Sequence, residues 1–141
     1  MMNPNWLYLP VLLQILLTLT VYSALIFAKI KAIRAGEVNN ARRALHDDAW
    51  PEYVQKINNN IRNQFEVPVL FYVLVIALIE LNAVGLLALL AAWAFALSRL
   101  LHAWIHTGAN VVLLRRNIFL IGVLAIFVLT ALLLYEVVVR L

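Results

Sequence analysis

The chain contains no cysteine, and this absence excludes several kinds of site. Without cysteine there is no disulfide framework, no thiolate metal ligand and no cysteine nucleophile. Glycine is also scarce, with four residues, and no two of them form a G-x-x-x-G pattern. Close, glycine-mediated packing of membrane helices is therefore not the predicted mode of association.

Charged residues are scarce as well, and this scarcity determines the class of protein. Only 13% of the residues are charged and 65% are hydrophobic, whereas a soluble domain has about 25% and roughly 45–50%. Mean hydropathy is +0.93. This composition is typical of a membrane protein. In such a chain the net charge of +4 reflects basic loops and indicates no nucleic-acid binding.

Four apolar stretches are long enough to cross a bilayer, which takes about 20 residues. No Lys or Arg precedes Lys29, so the first stretch lacks the basic start of a signal peptide and is predicted to be retained. The sequence therefore predicts an all-α, four-transmembrane-helix bundle that forms a single domain over residues 1–141. Its spans are predicted at about residues 6–28, 58–80, 83–114 and 118–139.

The basic residues also predict an orientation. Most of them lie in the connection 29–60, and two more, Arg115 and Arg116, lie between the third and fourth spans. The turn around Asn82 has none, and Arg140 is the single basic residue beyond the last span. Because basic loops stay in the cytoplasm, both termini are predicted to be outside or lumenal.

Two sets of polar residues occur at helical spacing in otherwise apolar spans. Residues separated by three, four or seven positions share one face of a helix. Both sets are predicted near the cytoplasmic ends of their helices, joined by a tight hairpin, where they would form a basic pocket with one carboxylate. The first set is Asn59, Arg62, Asn63 and Glu66; the second is Arg99, His102, His106 and Asn110.

Structural explanations compete with a ligand site. Arg115 and Arg116 could simply extend to lipid headgroups, and loop residues such as Lys31 and Arg42 could set orientation or contact anionic lipid. Glu66 could form a structural ion pair. Ionisable residues inside a membrane nevertheless indicate a functional site, and their alignment at one depth favours a ligand.

The pocket has a definite chemical preference. Arginine forks match carboxylates, a glutamate can meet an ammonium group, and the apolar walls can admit a lipophilic molecule. A thiol held near arginine has its pKa lowered toward the thiolate. Together these features indicate glutathione and a hydrophobic electrophile, and no metal site is predicted.

At these residues the chain resembles the MAPEG family, the membrane-associated proteins of eicosanoid and glutathione metabolism. The resemblance is carried by "RNQFE" at 62–66 with Pro68 following, and by "RLLHAWIH" at 99–106 with Arg115 following. It implies a homotrimer with sites between adjacent subunits and glutathione as co-substrate.

The resemblance also implies roles for individual residues. Arg99 would anchor the site and pair with Glu66, and Arg115 would be the catalytic residue that stabilises the thiolate, with Arg116 as a substitute. His106 stands where several relatives carry Tyr and retains a hydrogen-bond donor, whereas Asn59 stands where some carry Arg. Glutathione contacts are implied for Arg62, Asn63, Glu66, Arg99, His102, His106, Arg116 and Lys29 or Lys31.

The implied reaction is conjugation of glutathione to a lipophilic electrophile or reduction of a lipid hydroperoxide. The residues do not distinguish conjugation from peroxidase or isomerase chemistry. A non-catalytic lipid-binding or scaffolding protein of the same fold is the alternative. A small exporter is disfavoured because the outer halves of the spans are almost wholly apolar. The bacterial inner membrane and the endoplasmic reticulum both fit.

Overall fold

A computed structural model describes residues 3–141, and every regular element in that range is helical. The helices are α1 (Tyr8–Arg34), α2 (Glu52–Gln64), α3 (Val67–Glu80), α4 (Leu86–Thr107) and α5 (Val112–Val139). Four segments are long and apolar enough to cross a membrane: Pro4–Arg34, Glu52–Glu80, Leu86–Thr107 and Val112–Val139. The predicted all-α architecture with four such helices is confirmed.

The bundle has two ends that differ in their connections. The long connection between α1 and α2 and the short turn between α4 and α5 lie at one end, which we call the loop end. The turn around Asn82, the start of α1 and the end of α5 lie at the opposite end, which we call the hairpin end. Gly36 stops α1 at the loop end, and its φ of 70° is a conformation that glycine adopts without steric cost.

The second span is broken into two helices near Glu66, which has φ −97° and ψ −102°. Pro68 explains the break, because proline lacks an N–H and its ring clashes with the carbonyl four residues earlier. Asn59, Arg62 and Asn63 precede the break on α2, whereas Glu66 lies in it. The prediction that Glu66 continues their helical face is therefore wrong, since helical spacing does not apply across the break.

The turn between α4 and α5 comes earlier than the sequence predicted. α4 ends at Thr107, not near 114, and α5 begins at Val112, not near 118. Asn110 stops the helix: its φ is 52°, and its N–H donates to the carbonyl of Ile105 at 2.7 Å. Asn110 therefore leaves the α4 face, and Arg115 lies in the first turns of α5.

Two apolar clusters hold the helices together. At the hairpin end Phe71 of α3 stacks on Phe95 of α4, with ring centroids 4.4 Å apart. At the loop end a second cluster includes Leu25, Val54 and Ala103 and joins α1, α2 and α4. The position of α2 against α4 is thereby fixed, and this contact brings the polar residues of both helices together.

α5 packs closely on α4 at Gly122. A Cβ atom added at Gly122 would lie 2.7 Å from Ser98 Oγ, and this hydroxyl donates to the carbonyl of Phe95 at 2.7 Å. Any larger residue at position 122 would therefore displace the Ser98 hydroxyl or separate the helices.

We predict that Gly122→Ala lowers the thermal stability of the purified protein. Overpacking costs about 1–3 kcal/mol, which equals or exceeds the gain of about 1 kcal/mol that alanine brings to a helix, and the hydrogen bond of Ser98 is disturbed as well. Adding Ser98→Ala should restore stability, because it removes the clashing oxygen. Gly85→Ala is the control, since nothing lies within 4 Å of its added Cβ. Equal melting temperatures for Gly122→Ala and Gly85→Ala would contradict the proposed close contact.

Candidate functional site

A group of polar side chains is buried between α1, α2 and α4. Buried polar groups in an apolar surrounding require hydrogen-bond partners, so their contacts define the site. We call this group the polar cluster: Gln14, Asn60, Asn63, Gln64, Arg99, His102 and His106. All except the half-buried Asn63 are buried.

Arg99 is at the centre of the polar cluster and is only 1% exposed. Its Nη2 donates to the backbone carbonyl of Asn63 at 2.9 Å. This carbonyl is free because α2 ends at Gln64, and the last carbonyls of a helix have no partner within it. A cation is favourable at that end of the helix dipole. The guanidinium also lies over the ring of Phe119, with Cζ 5.5 Å from the centroid.

Arg99 has donors that no described residue accepts. Its Nε and Nη1 atoms, like Nδ1 of His102, are buried without a hydrogen-bond partner. An unpaired buried group costs about 1–3 kcal/mol, and more when it is charged. These two nitrogens of Arg99 are unused donors on either side of Nη2, and an anionic group such as a carboxylate is the strongest acceptor for them.

His106 is oriented by two amides of α2. Its Nδ1 lies 3.3 Å from Nδ2 of both Asn60 and Asn63. The amide nitrogens can only donate, so Nδ1 accepts and the ring proton is assigned to Nε2. His102 packs edge-on against His106, with centroids 5.5 Å apart, and against Phe119 at 5.8 Å.

The predicted ion pair between Arg99 and Glu66 is absent. Among residues 3–141 the ion pairs within 4.0 Å do not include Glu66, which is exposed at the break after α2. Arg99 instead donates a hydrogen bond to the backbone carbonyl of Asn63 at the C-terminal end of α2. Arg62 is exposed and forms its ion pair with Asp47, a loop residue to which sequence reasoning gave no role.

The remaining predicted residues lie around the loop end. Arg115 is half-buried, and its Nη1 donates to Oδ1 of Asn110 at 2.6 Å; Arg116 is exposed. The ammonium of Lys29 lies 4.8 Å from the centroid of Trp50, and that of Lys31 lies 5.3 Å from Tyr53.

The fold thus brings together only part of the predicted set. Asn63, Arg99, His102 and His106 meet inside the helix bundle, whereas Arg62, Glu66 and Arg116 lie on its surface. Sequence reasoning missed Asn60, Gln64 and Gln14. A signal existed for the last of these, because Gln14 is the one carboxamide residue in the predicted span 6–28.

Comparison with known proteins identifies the family of the chain. The model of the MAPEG family matches residues 6–135, nearly the whole sequence. The chain therefore belongs to the MAPEG family, and the predicted resemblance to that family is confirmed. With its four apolar helices it is an integral membrane protein. No match was found among curated proteins or among solved structures.

Proposed function

Since the chain belongs to the MAPEG family, we propose that it binds glutathione at the loop end and transfers it to a lipophilic electrophile or uses it to reduce a lipid hydroperoxide. The observation that carries this proposal is the buried guanidinium of Arg99, whose Nε and Nη1 have no acceptor among residues 3–141. A carboxylate from the ligand would supply the missing acceptor.

The charges around the polar cluster suit the groups of glutathione, which has two carboxylates, one ammonium and one thiol. Arg99 would bind one carboxylate with help from His102 and His106, and Arg62 would bind the other. Asn63 would add an amide contact. Glu66 is exposed and free of ion pairs among residues 3–141, so it can meet the ammonium. Lys29 and Arg116 would add positive charge at the edge of the site.

Arg115 is the proposed catalytic residue. Its bond to Asn110 holds the guanidinium beside the end of α4, and a nearby cation holds the pKa of a thiol below its usual range. In conjugation, the thiolate sulfur forms a bond to the electrophilic carbon while the leaving group departs with its electron pair. In peroxide reduction, the sulfur attacks one oxygen, the O–O bond breaks, and a second glutathione completes the disulfide, with an alcohol and water as products.

A homotrimer would complete the site. Arg62 and Glu66 lie on the surface of one protomer, and large apolar residues of α1, α3 and α4 are exposed beside lipid or a neighbouring subunit. A neighbouring copy of the chain would enclose glutathione between subunits, and the lipophilic substrate would enter laterally from the bilayer.

A non-catalytic lipid-binding role is the second candidate, and a groove on the apolar surface favours it. The groove lies between α1 and α3 and has a volume of about 280 Å³. Its lining is almost entirely apolar, as expected for an acyl chain: Val11, Ile15, Thr18, Leu19, Tyr72 and Ile76.

We predict that the loop end faces the cytoplasm, because it carries most of the basic residues. A reporter protein fused within the connection at residue 45 should be cytoplasmic. Reporters at residue 82 and at the C-terminus should be outside or lumenal, whether the membrane is a bacterial inner membrane or endoplasmic reticulum. A cytoplasmic C-terminal reporter would contradict this orientation.

We predict that Arg115→Ala abolishes the ultraviolet absorbance of glutathione thiolate while glutathione still binds. The reason is that Arg115 stabilises the thiolate, whereas the carboxylates are held elsewhere. Turnover with a generic electrophile should fall far more than affinity. The measurement is a glutathione titration of the purified protein, followed spectroscopically and by calorimetry.

Arg116→Ala is the matched control for this experiment. The neighbouring side chain points about 100° away around the helix and is exposed, so the thiolate absorbance should persist, and loss of its charge at the edge of the site should lower affinity only slightly. A parent protein that binds glutathione without forming thiolate would favour the non-catalytic alternative. A parent protein that binds no glutathione would reject the proposed function.

A further inference from the structure

Gln14 is a fully buried amide in the middle of an apolar membrane-spanning helix. Its side chain is 0% exposed, and the residues around it in α1 are almost all aliphatic. An amide in hydrocarbon is costly unless it is hydrogen-bonded. Its contacts therefore indicate why the position is polar.

The amide of Gln14 begins a chain of hydrogen bonds that leads to His106. Gln14 Nε2 donates to Gln64 Oε1 at 2.7 Å, and Gln64 Nε2 donates to Asn60 Oδ1 at 2.9 Å. Asn60 Nδ2 lies 3.3 Å from Nδ1 of His106. Gln64 and Asn60 each receive with their oxygen and donate with their nitrogen, so the chain runs in one direction from α1 through α2 to α4. Gln14 begins it, and its own Oε1 has no partner among residues 3–141.

The direction of this chain assigns the proton of His106 to Nε2, in agreement with the Asn63 amide, which also lies 3.3 Å from Nδ1. Because Gln14 donates to Gln64, the nitrogen of Gln64 is turned toward Asn60, and the nitrogen of Asn60 is turned toward His106. Nδ1 then accepts and Nε2–H remains as a donor. A donor at this position suits an anionic group of a ligand.

We infer that Gln14 is a positioning residue that acts through His106 on ligand binding at the polar cluster. This inference rests on the proposed function, since the ligand in question is glutathione. Gln14 touches no part of the ligand; it fixes the orientation of two amides and thereby the donor that His106 presents.

A double-mutant cycle tests this inference with glutathione affinity as the readout. Gln14→Leu should weaken binding by about three- to tenfold, the usual effect of one hydrogen bond. In a His106→Phe background the same substitution should leave affinity unchanged, because its path to the ligand is gone. Thr20→Val is the control on α1, since its hydroxyl donates only to the carbonyl of Leu16 in its own helix.

A purely structural role of Gln14 gives a different result. The melting temperature of Gln14→Leu would fall, but the folded variant would bind glutathione as tightly as the parent. Alternatively, Gln14→Leu would weaken binding by the same factor in the parent and in the His106→Phe background. Either outcome overturns the inference. The ¹⁵N shifts of His106 in the ligand-free parent provide a test that needs no variant and no glutathione. Nδ1 should be unprotonated, and a protonated Nδ1 overturns the inference even where glutathione binds.

Asp47 provides a second, independent observation at the entrance to the site. It opens the 3₁₀ turn Asp47–Ala49 and forms an ion pair with Arg62. Its other oxygen accepts from Nδ2 of Asn58 at 3.3 Å. The turn is also tied to the rest of the connection, because the Ala49 carbonyl accepts from the Asn39 N–H at 3.0 Å.

The space beneath this turn is too small for a ligand. The cavity lined by Lys29, Asp47, Trp50, Val54, Gln55 and Asn58 has a volume of about 10 Å³, roughly that of one water molecule. Asp47 occupies Nη2 of Arg62, so a glutathione carboxylate that binds this nitrogen takes the place of the Asp47 carboxylate.

We propose that the Asp47 turn is a latch that occupies Nη2 of Arg62 and opens when an anionic ligand exchanges with Asp47. This proposal also rests on the proposed function. The ion pair is well exposed, with side chains 60% and 49% accessible, so it is weak enough to exchange without unfolding the connection.

Asp47 and Asp48 form a matched pair for the test. Asp47→Asn should tighten glutathione binding up to about fivefold, the range of an exposed ion pair. Asp48→Asn removes the same charge from the adjacent residue but breaks only the ion pair with Arg42, so the affinity for glutathione should not change. Equal effects would indicate general electrostatics and overturn the latch, as would unchanged or weaker binding in Asp47→Asn.

Hydrogen exchange tests the latch without glutathione. Amides at 42–50 should exchange faster in ligand-free Asp47→Asn than in the parent and in Asp48→Asn. If exchange is the same in Asp47→Asn and in the parent, the latch is overturned even where glutathione binds. If exchange is faster in Asp47→Asn but the parent binds no glutathione, the proposed function is refuted and the latch is not.

Discussion

The buried charge of Arg99 is the constraint on which the loop end depends. A guanidinium cannot be left unsolvated inside a membrane protein, so three elements are arranged around it. α2 supplies a backbone carbonyl from its free C-terminal end, α4 holds the residue, and α5 covers it with Phe119. The break at Glu66 and Pro68 is part of this arrangement, because a continuous helix would have used the Asn63 carbonyl itself.

The sequence predicted what depends on composition and on unbroken helical spacing. The four membrane-crossing helices follow from long apolar stretches, and Arg99, His102 and His106 share a face because α4 runs uninterrupted to Thr107. Prediction failed where the backbone leaves helical geometry. Glu66 lies at a proline-induced break and Asn110 in a turn with positive φ, so residue spacing no longer determines the direction of either side chain.

Contacts between distant segments could not be read from spacing either. The pairing of Asp47 with Arg62 depends on how the connection folds over α2, and no periodic pattern encodes it. Gln14 and Gln64 meet across 50 positions. A lone amide in an apolar span signals that a polar partner exists, but only the packing of α1 against α2 identifies that partner.

The order of elements along the chain has a consequence for biosynthesis. The carbonyl of Asn63 belongs to the second membrane segment, and Arg99 lies in the third, beyond a short hairpin at Asn82. During insertion the acceptor thus emerges before the cation that needs it, and the two segments can enter the bilayer as a preformed pair. The arginine then has one backbone acceptor before the final helix closes over it.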